Sequence, residues 1–145
     1  MNKLLAILVS LLFLSGCASS WLETKGSGPP VSKLDKVYLV SNNKLDDDYR
    51  IHDAIIAELH NRGYIVVDLK DEMPDSVDGI IFSYKDTWSW DFVMVLSTLD
   101  IRVLDGHNRK LLGSGYWGRP FWHNYPKPED AVSELFREMK FKNIL

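Results

Sequence analysis

The 145-residue sequence predicts an α/β (α+β) two-layer sandwich: a mixed sheet with two helices on one face, in the order β-α-β-β-β-β-α. Three observations predict it. Ile51, Ala54, Ile55 and Leu59 recur at helical spacing, and so do Ala131, Val132, Leu135, Phe136 and Met139. Two long segments, "GIIFSYKDTWSW" and "VMVLSTLDIRVLD", alternate apolar and polar residues with a period of two, the pattern of a sheet with one covered face. The first helical segment stands between the short apolar runs "KVYLVS" and "YIVVDL", which reads as a right-handed crossover joining parallel strands.

Taken in order, Lys36 to Ser41 is a strand buried on both faces, because Val37, Leu39 and Val40 flank Tyr38. "NNKLDDD" is a loop in which Asp46, Asp47 or Asp48 is expected to cap the first helix, and Gly63 stops that helix. "YIVVDL" is the second strand and "DEMPDSVD" a loop. In the third, Ile80, Phe82, Tyr84, Trp88 and Trp90 share one face, expected to lie under the helices. In the fourth, Val93, Val95, Leu99, Ile101 and Val103 share a face, with Thr98, Asp100 and Arg102 opposite. "DGHNRK" is a turn, and "LLGSGYWG" a strand whose glycines favour close approach or a bulge. Pro126 and Pro128 precede the last helix.

The first 32 residues read differently. Lys3 gives a positive start, and Leu4 to Leu14 is an apolar run of about 11 residues, the length of a signal peptide and well short of the roughly 20 that span a bilayer. Cys17, the single cysteine, follows the small residues Ser15 and Gly16. Residues 17–32, "CASSWLETKGSGPPVS", are read as the head of the mature chain and a flexible tether with a stiffer Pro29-Pro30 end. In it Trp21 and Leu22 either dip into a membrane interface or are simply exposed. Residues 33–145 form one domain of ordinary size. The net charge is −3, and one unit more negative once Lys3 is removed with residues 1–16. Such a surface argues against nucleic acid as a partner.

Leu14-Ser15-Gly16-Cys17 resembles the lipobox of bacterial lipoproteins. The resemblance implies that Cys17 is the lipid attachment site and that residues 1–16 are cleaved. Two or more acyl chains hold a protein stably on a membrane. Ala18 and Ser19 in place of an aspartate imply the outer membrane, facing the periplasm. "SVDGIIFSYKDTWSWDFVMVLSTLDIRVLDGHNRKLLGSGYW" resembles the strand block of small uncharacterised envelope lipoproteins, through Asp78, Tyr84, Trp88, Trp90, Asp91, Leu99, Ile101, Arg102, Val103, Asp105 and Leu112. The first strand and helix look like the amino-terminal domain of the Tol-Pal periplasmic protein and like domains of curli-secretion and penicillin-binding-protein-activator lipoproteins. These likenesses imply a periplasmic recognition module, not an enzyme.

The residues themselves point the same way. His52 and His60 lie about 12 Å apart along a helix, too far to share a metal, and a solvated helix face is expected for both. Asp48 and His52 are spaced for an ion pair. Asp46 to Asp48 lack the glycine and distal glutamate of a calcium loop. Gly113-Ser114-Gly115 lacks the flanking pattern of a nucleophile elbow. No cofactor or metal is expected. Lys85, Asp100 and Arg102 are expected to make cross-strand charge pairs. The segment "YWGRPFWHNYPKP" is dense in aromatics and arginine, the residue types enriched at interface hot spots. Trp117, Arg119, Phe121, Trp122 and Tyr125 are therefore candidates for partner binding, with closure of the core edge as the other reading. The expected function is an outer-membrane-anchored interaction module for another envelope protein. The alternative is a binding domain for a cell-wall fragment or other small envelope ligand.

Overall fold

The computed structural model describes residues 21–26, 28, 36–41, 50–70, 72–119 and 125–145. Cys17, the signal segment, Asp46 to Asp48, Phe121 and Trp122 lie outside the described residues. The described chain runs β1 (Trp21–Gly26), β2 (Lys36–Ser41), α1 (Ile51–Asn61), β3 (Ile65–Asp68), β4 (Ile80–Asp91), β5 (Val93–Asp105), β6 (Leu111–Gly118) and α2 (Pro128–Phe141). The six strands form one mixed sheet in the order β1-β6-β5-β4-β2-β3. β2 pairs in parallel with β3 and β4, and every other pair is antiparallel. The fold is the expected α+β sandwich with one strand more: Trp21–Gly26, read from sequence as part of a flexible tether, is an edge strand on β6.

One face of the sheet carries the core. Val37, Leu39, Phe82, Tyr84, Leu99, Ile101, Val103 and Trp117 meet Ile55, Leu59, Val132, Leu135, Phe136 and Met139 from the two helices, all buried. The Phe82 and Phe136 rings lie 5.6 Å apart. Glu58 ties the helices together: its carboxylate accepts from Arg62 Nε at 3.3 Å and from Ser133 Oγ at 2.6 Å. β6 admits α2 because glycines stand where the helix and its C-terminal residues pass over it. A Cβ on Gly115 would stand 2.9 Å from Leu135 and Met139 atoms, and one on Gly113 would stand 2.4 Å from Ile144. α1 is preceded at its N-cap position by Arg50, in a left-handed conformation with no side-chain cap bond, so no aspartate caps it at that position; Asp53 in its first turn complements the dipole.

Two departures change which side chains are covered. β5 carries one residue too many: Thr87 faces Thr98, but Trp88 faces Leu96, leaving Ser97 as a bulge. Beyond it the alternation inverts, so Leu96, not Val95, joins the core cluster. The second departure is one of length. β4, with 12 residues, is about 40 Å long, whereas α2, with 14, is about 21 Å. Trp88 is the last residue of its row to pack on the core, and Trp90, expected beneath the helices, is 74% exposed.

Candidate functional site

The predicted partner segment divides. Trp117 is a core residue, 1% exposed, and its indole Nε1 donates to the Glu134 carboxylate at 2.9 Å. It therefore presents no surface to a partner, and the expectation for it is corrected. Its β6 position on the helix-covered face, opposite Leu22 and Leu99, is the reason. Arg119 is half-buried. Its backbone N–H donates to the carbonyl of the bulge residue Ser97 at 2.8 Å, and its guanidinium stands 3.5 Å from Asp91. Tyr125 is 44% exposed. Desolvation, and then the Asp91 carboxylate to which it bonds, hold its hydroxyl above the usual tyrosine range. The two described candidates that remain accessible thus converge on one carboxylate.

The sheet face opposite the helices carries polar chemistry. The register sets out two rows across four strands: Lys85, Asp100, Tyr116 and Glu23 in one, Ser83, Arg102, Ser114 and Lys25 in the next. Residues directly opposite on neighbouring strands point to the same side, so each row lies on this face. Lys85 and Asp100 are the expected cross-strand neighbours, but Asp100 accepts its bond from Arg102 Nε, at 3.2 Å along the same strand. Thr87 and Thr98 bond through their hydroxyls at 2.6 Å, and Lys25 pairs with Glu23 at 2.7 Å. The hydrogen bond and charge of Glu23 raise the Lys25 pKa. Ser83, Lys85, Thr87, Thr98, Asp100, Arg102 and Tyr116 line an open trough of about 500 Å3. Both charge signs and an amphipathic aromatic stand at the rim of a surface built on four hydrogen-bonded strands.

A third cluster was not visible in sequence. His52 on α1, expected on a solvated face, is bonded at both ring nitrogens: Nδ1 lies 2.8 Å from the Tyr84 hydroxyl and Nε2 lies 2.9 Å from Asp68 Oδ2. A carboxylate only accepts, so Nε2 donates, and in the neutral ring Nδ1 accepts from Tyr84. At Asp68, desolvation acts to raise the pKa. The Lys70 backbone N–H and His52 outweigh it, and the carboxyl is held below its usual range. Tyr84 is buried beneath the ring, so the arrangement fastens α1 to β3 and β4. Among the described residues no group of three or more histidine, cysteine or acidic side chains is placed to hold a metal ion. No helix among them is long and apolar enough to cross a membrane.

No protein-family model matches the chain, and no curated protein matches it. Solved structures do. A point variant of the PelC dodecamer from Paraburkholderia phytofirmans superposes with a TM-score of 0.61 at 16% identity, covering 83% of this chain and 95% of that one. A second PelC dodecamer structure from the same organism gives 0.61 at 14% identity with the same coverage. A PDZ domain protein from Parabacteroides distasonis gives 0.42 at 12% identity, covering 90% of this chain and 38% of that one, a likeness too low to carry an argument. The two PelC structures share this chain's fold over nearly the whole described domain.

Proposed function

We propose that the protein is a lipoprotein, anchored through Cys17 to the periplasmic side of the outer membrane, whose bare sheet face docks another protein of the envelope. The observation that carries the reading is the pair of polar rows on that face. A sheet with helices on one side leaves the other side rigid, and here it presents Lys85, Asp100, Arg102, Glu23, Lys25 and Tyr116 together. Complementary charges at such a surface fix orientation and speed encounter. Tyrosine adds a large contact with a polar tip. Because PelC is a dodecamer in the same fold, further copies of this chain are the first partners to test. The reading is of binding, and His52, which bonds both an acid and a hydroxyl, is assigned to joining helix to sheet.

The trough supports a second reading. Its volume of about 500 Å3 lies within the range of small-ligand sites. It suits a cell-wall fragment or another small envelope molecule less well than a protein, because it is open and its walls are charged.

Two measurements test this. Labelled palmitate should enter the wild-type protein in cells and not Cys17→Ser, which should no longer be held stably in the membrane fraction. A photo-crosslinking residue at Lys85 should give a discrete protein adduct in intact cells, while one at Lys140 on α2 should not. An adduct at multiples of the chain mass indicates self-assembly, and another mass indicates a different envelope protein. No adduct at Lys85, with a bound cell-wall fragment recovered instead, would establish the second reading and refute the first.

A further inference from the structure

The β4–β5 hairpin ends in apolar side chains that stay exposed beyond the described helices. Trp90 is 74% exposed, Phe92 89%, Val93 54% and Met94 43%. Phe92 sits at the turn with φ 58, a left-handed conformation normally given to glycine, asparagine or aspartate and uncommon for a bulky aromatic. A sequence that needed only a tight turn there had cheaper choices. The single charge at this tip, Asp91, is matched by Arg119 at 3.5 Å and by the Tyr125 hydroxyl. The tip therefore meets its surroundings as a nearly uncharged apolar wedge. A contiguous exposed apolar patch of this kind marks a contact with a protein or a membrane.

The chain path decides between them. β1 starts at Trp21, which faces Gly118; Gly118 faces Thr98, and Thr98 faces Thr87, so the four stand at one level. The hairpin continues past that level from Trp88 to Asp91, about 13 Å farther. From Trp21 back to Cys17 there are four residue steps, which reach at most about 14 Å. An acylated Cys17 would thus hold the Trp21 end of the sheet within about 14 Å of the lipid, and the hairpin reaches as far in the same direction. Trp21 is itself 77% exposed. The membrane is the one surface that the anchor forces against this end of the domain. Tryptophan is enriched at membrane interfaces, where its ring is amphipathic and its N–H finds water or headgroups.

We infer that the hairpin tip, Trp90 to Met94, inserts into the interface of the leaflet that holds the lipid, as a second and non-covalent membrane contact. The orientation rests on the lipoprotein reading above; the tip's affinity for lipid does not. Two contacts at one end stand the strands upright on the membrane. The bare face with Lys85 and Arg102 then points sideways, parallel to the bilayer, where neighbouring proteins of the same membrane lie.

The test uses two forms of the full-length mature chain: the lipidated protein, reconstituted in vesicles of phosphatidylethanolamine and phosphatidylglycerol with brominated acyl chains, and the Cys17→Ser protein mixed with the same vesicles. In the lipidated form, the part of the tryptophan emission lost on Trp90→Phe should be quenched by the brominated lipid. In the Cys17→Ser form, Phe92→Asp should weaken vesicle binding at least about tenfold with an unchanged Tm. Trp90 emission unquenched in the lipidated protein overturns the proposal and leaves the anchor reading intact. Vesicle binding that is equal for Phe92→Asp and its parent overturns it as well. So does a lipid-free oligomer that Phe92→Asp dissolves, because the tip then covers another copy. If palmitate labelling fails while the Cys17→Ser form still binds vesicles through Phe92, only the anchor falls.

Discussion

Phe82 and Ser83 are neighbours in β4, and one backbone step separates two environments. Phe82 points into a layer where the helices supply Phe136, Leu59 and Leu135, and it is fully buried. Ser83 points to the opposite face, where it is itself buried but lines the open trough beside Lys85 and Arg102, both exposed. The same alternation runs through β5 and β6: Ile101 against Arg102, Gly115 against Ser114. On the covered face the side chains hold the fold, because each methylene removed there loses transfer free energy and leaves a cavity. At the exposed positions of the opposite face, Lys85 and Arg102 among them, the fold asks only for side chains compatible with strand, so their chemistry is free to serve a partner. The difference predicts a wide gap in stability cost between adjacent positions.

The widest gap is expected at the helix–sheet contact. Phe136→Ala should cost about 3–5 kcal/mol of unfolding free energy, read from urea denaturation, because the ring is fully buried, packs tilted against Phe82 and lies under the Arg62 guanidinium. A cost below about 1 kcal/mol would mean that the helical layer does not hold the sheet. The two β4 tryptophans repeat the comparison along one row. Trp88 packs on the core and donates its indole N–H to Asp86, so Trp88→Ala should cost about 2–4 kcal/mol. Trp90→Ala, two residues on but past the helical layer, should stay within about 0.5 kcal/mol. Equal losses at the two positions would break the account of strand length. In β6, Gly115→Val forces a Cβ against Leu135 and Met139 and should cost about 1–3 kcal/mol, whereas Ser114→Val should be close to neutral.

These pairs also show what could be read in the sequence. The fold class was legible because period-two and helical spacing are local signals, and they placed Leu59, Leu135, Phe136 and Ile101 in the core. Trp90 was misplaced because alternation tells which side a residue points to and not how far the opposing layer extends. Val95 was misplaced because a bulge at Ser97 inverts the alternation, and serine there has no distinguishing chemistry. The segment "WLETKG" reads as a tether because it buries only Leu22 on the core; its stability as a strand comes from backbone pairing with β6, which no composition reveals. In the candidate site, the charged residues of the bare face were legible from their spacing. Trp117 was not, since an aromatic beside arginine and proline reads equally as anchor or core. His52 was beyond reach, with partners 16 and 32 residues away.

The histidine fastener gives a smaller, pH-dependent effect. The Asp68 carboxyl has its pKa lowered in the folded state. The unfolded chain therefore binds the proton more tightly, and stability from this group is fully present above the unfolded pKa of about 4. It is lost as pH falls from there through the folded value. Asp68→Asn should flatten the acid side of the Tm-against-pH curve and leave the curve near pH 7 lower by the loss of a half-exposed pair, about 1 kcal/mol or less. An unchanged acid limb in this variant would remove Asp68 from the account.

The smallest expected effect lies on the bare face and is the most informative about function. Arg102 and Asp100 form an exposed pair, with side chains 64% and 39% accessible. Such pairs contribute about 0–1 kcal/mol, because water screens them and ordering two side chains opposes the attraction. Lys85 stands opposite Asp100 and adds a second positive charge to the same row. Reversing both cations, Lys85→Glu with Arg102→Glu, should shift unfolding free energy by no more than about 1 kcal/mol and leave membrane attachment unchanged. With the photo-crosslinking residue moved to Thr87, because Lys85 is itself changed here, the double variant should still lose the adduct to its partner, since the charge pattern that orients the encounter is inverted. Unfolding of this variant would mean that the face is part of the structural core after all. Full retention of the crosslink would place the docking surface elsewhere, with the Asp91, Arg119 and Tyr125 cluster next to be tested.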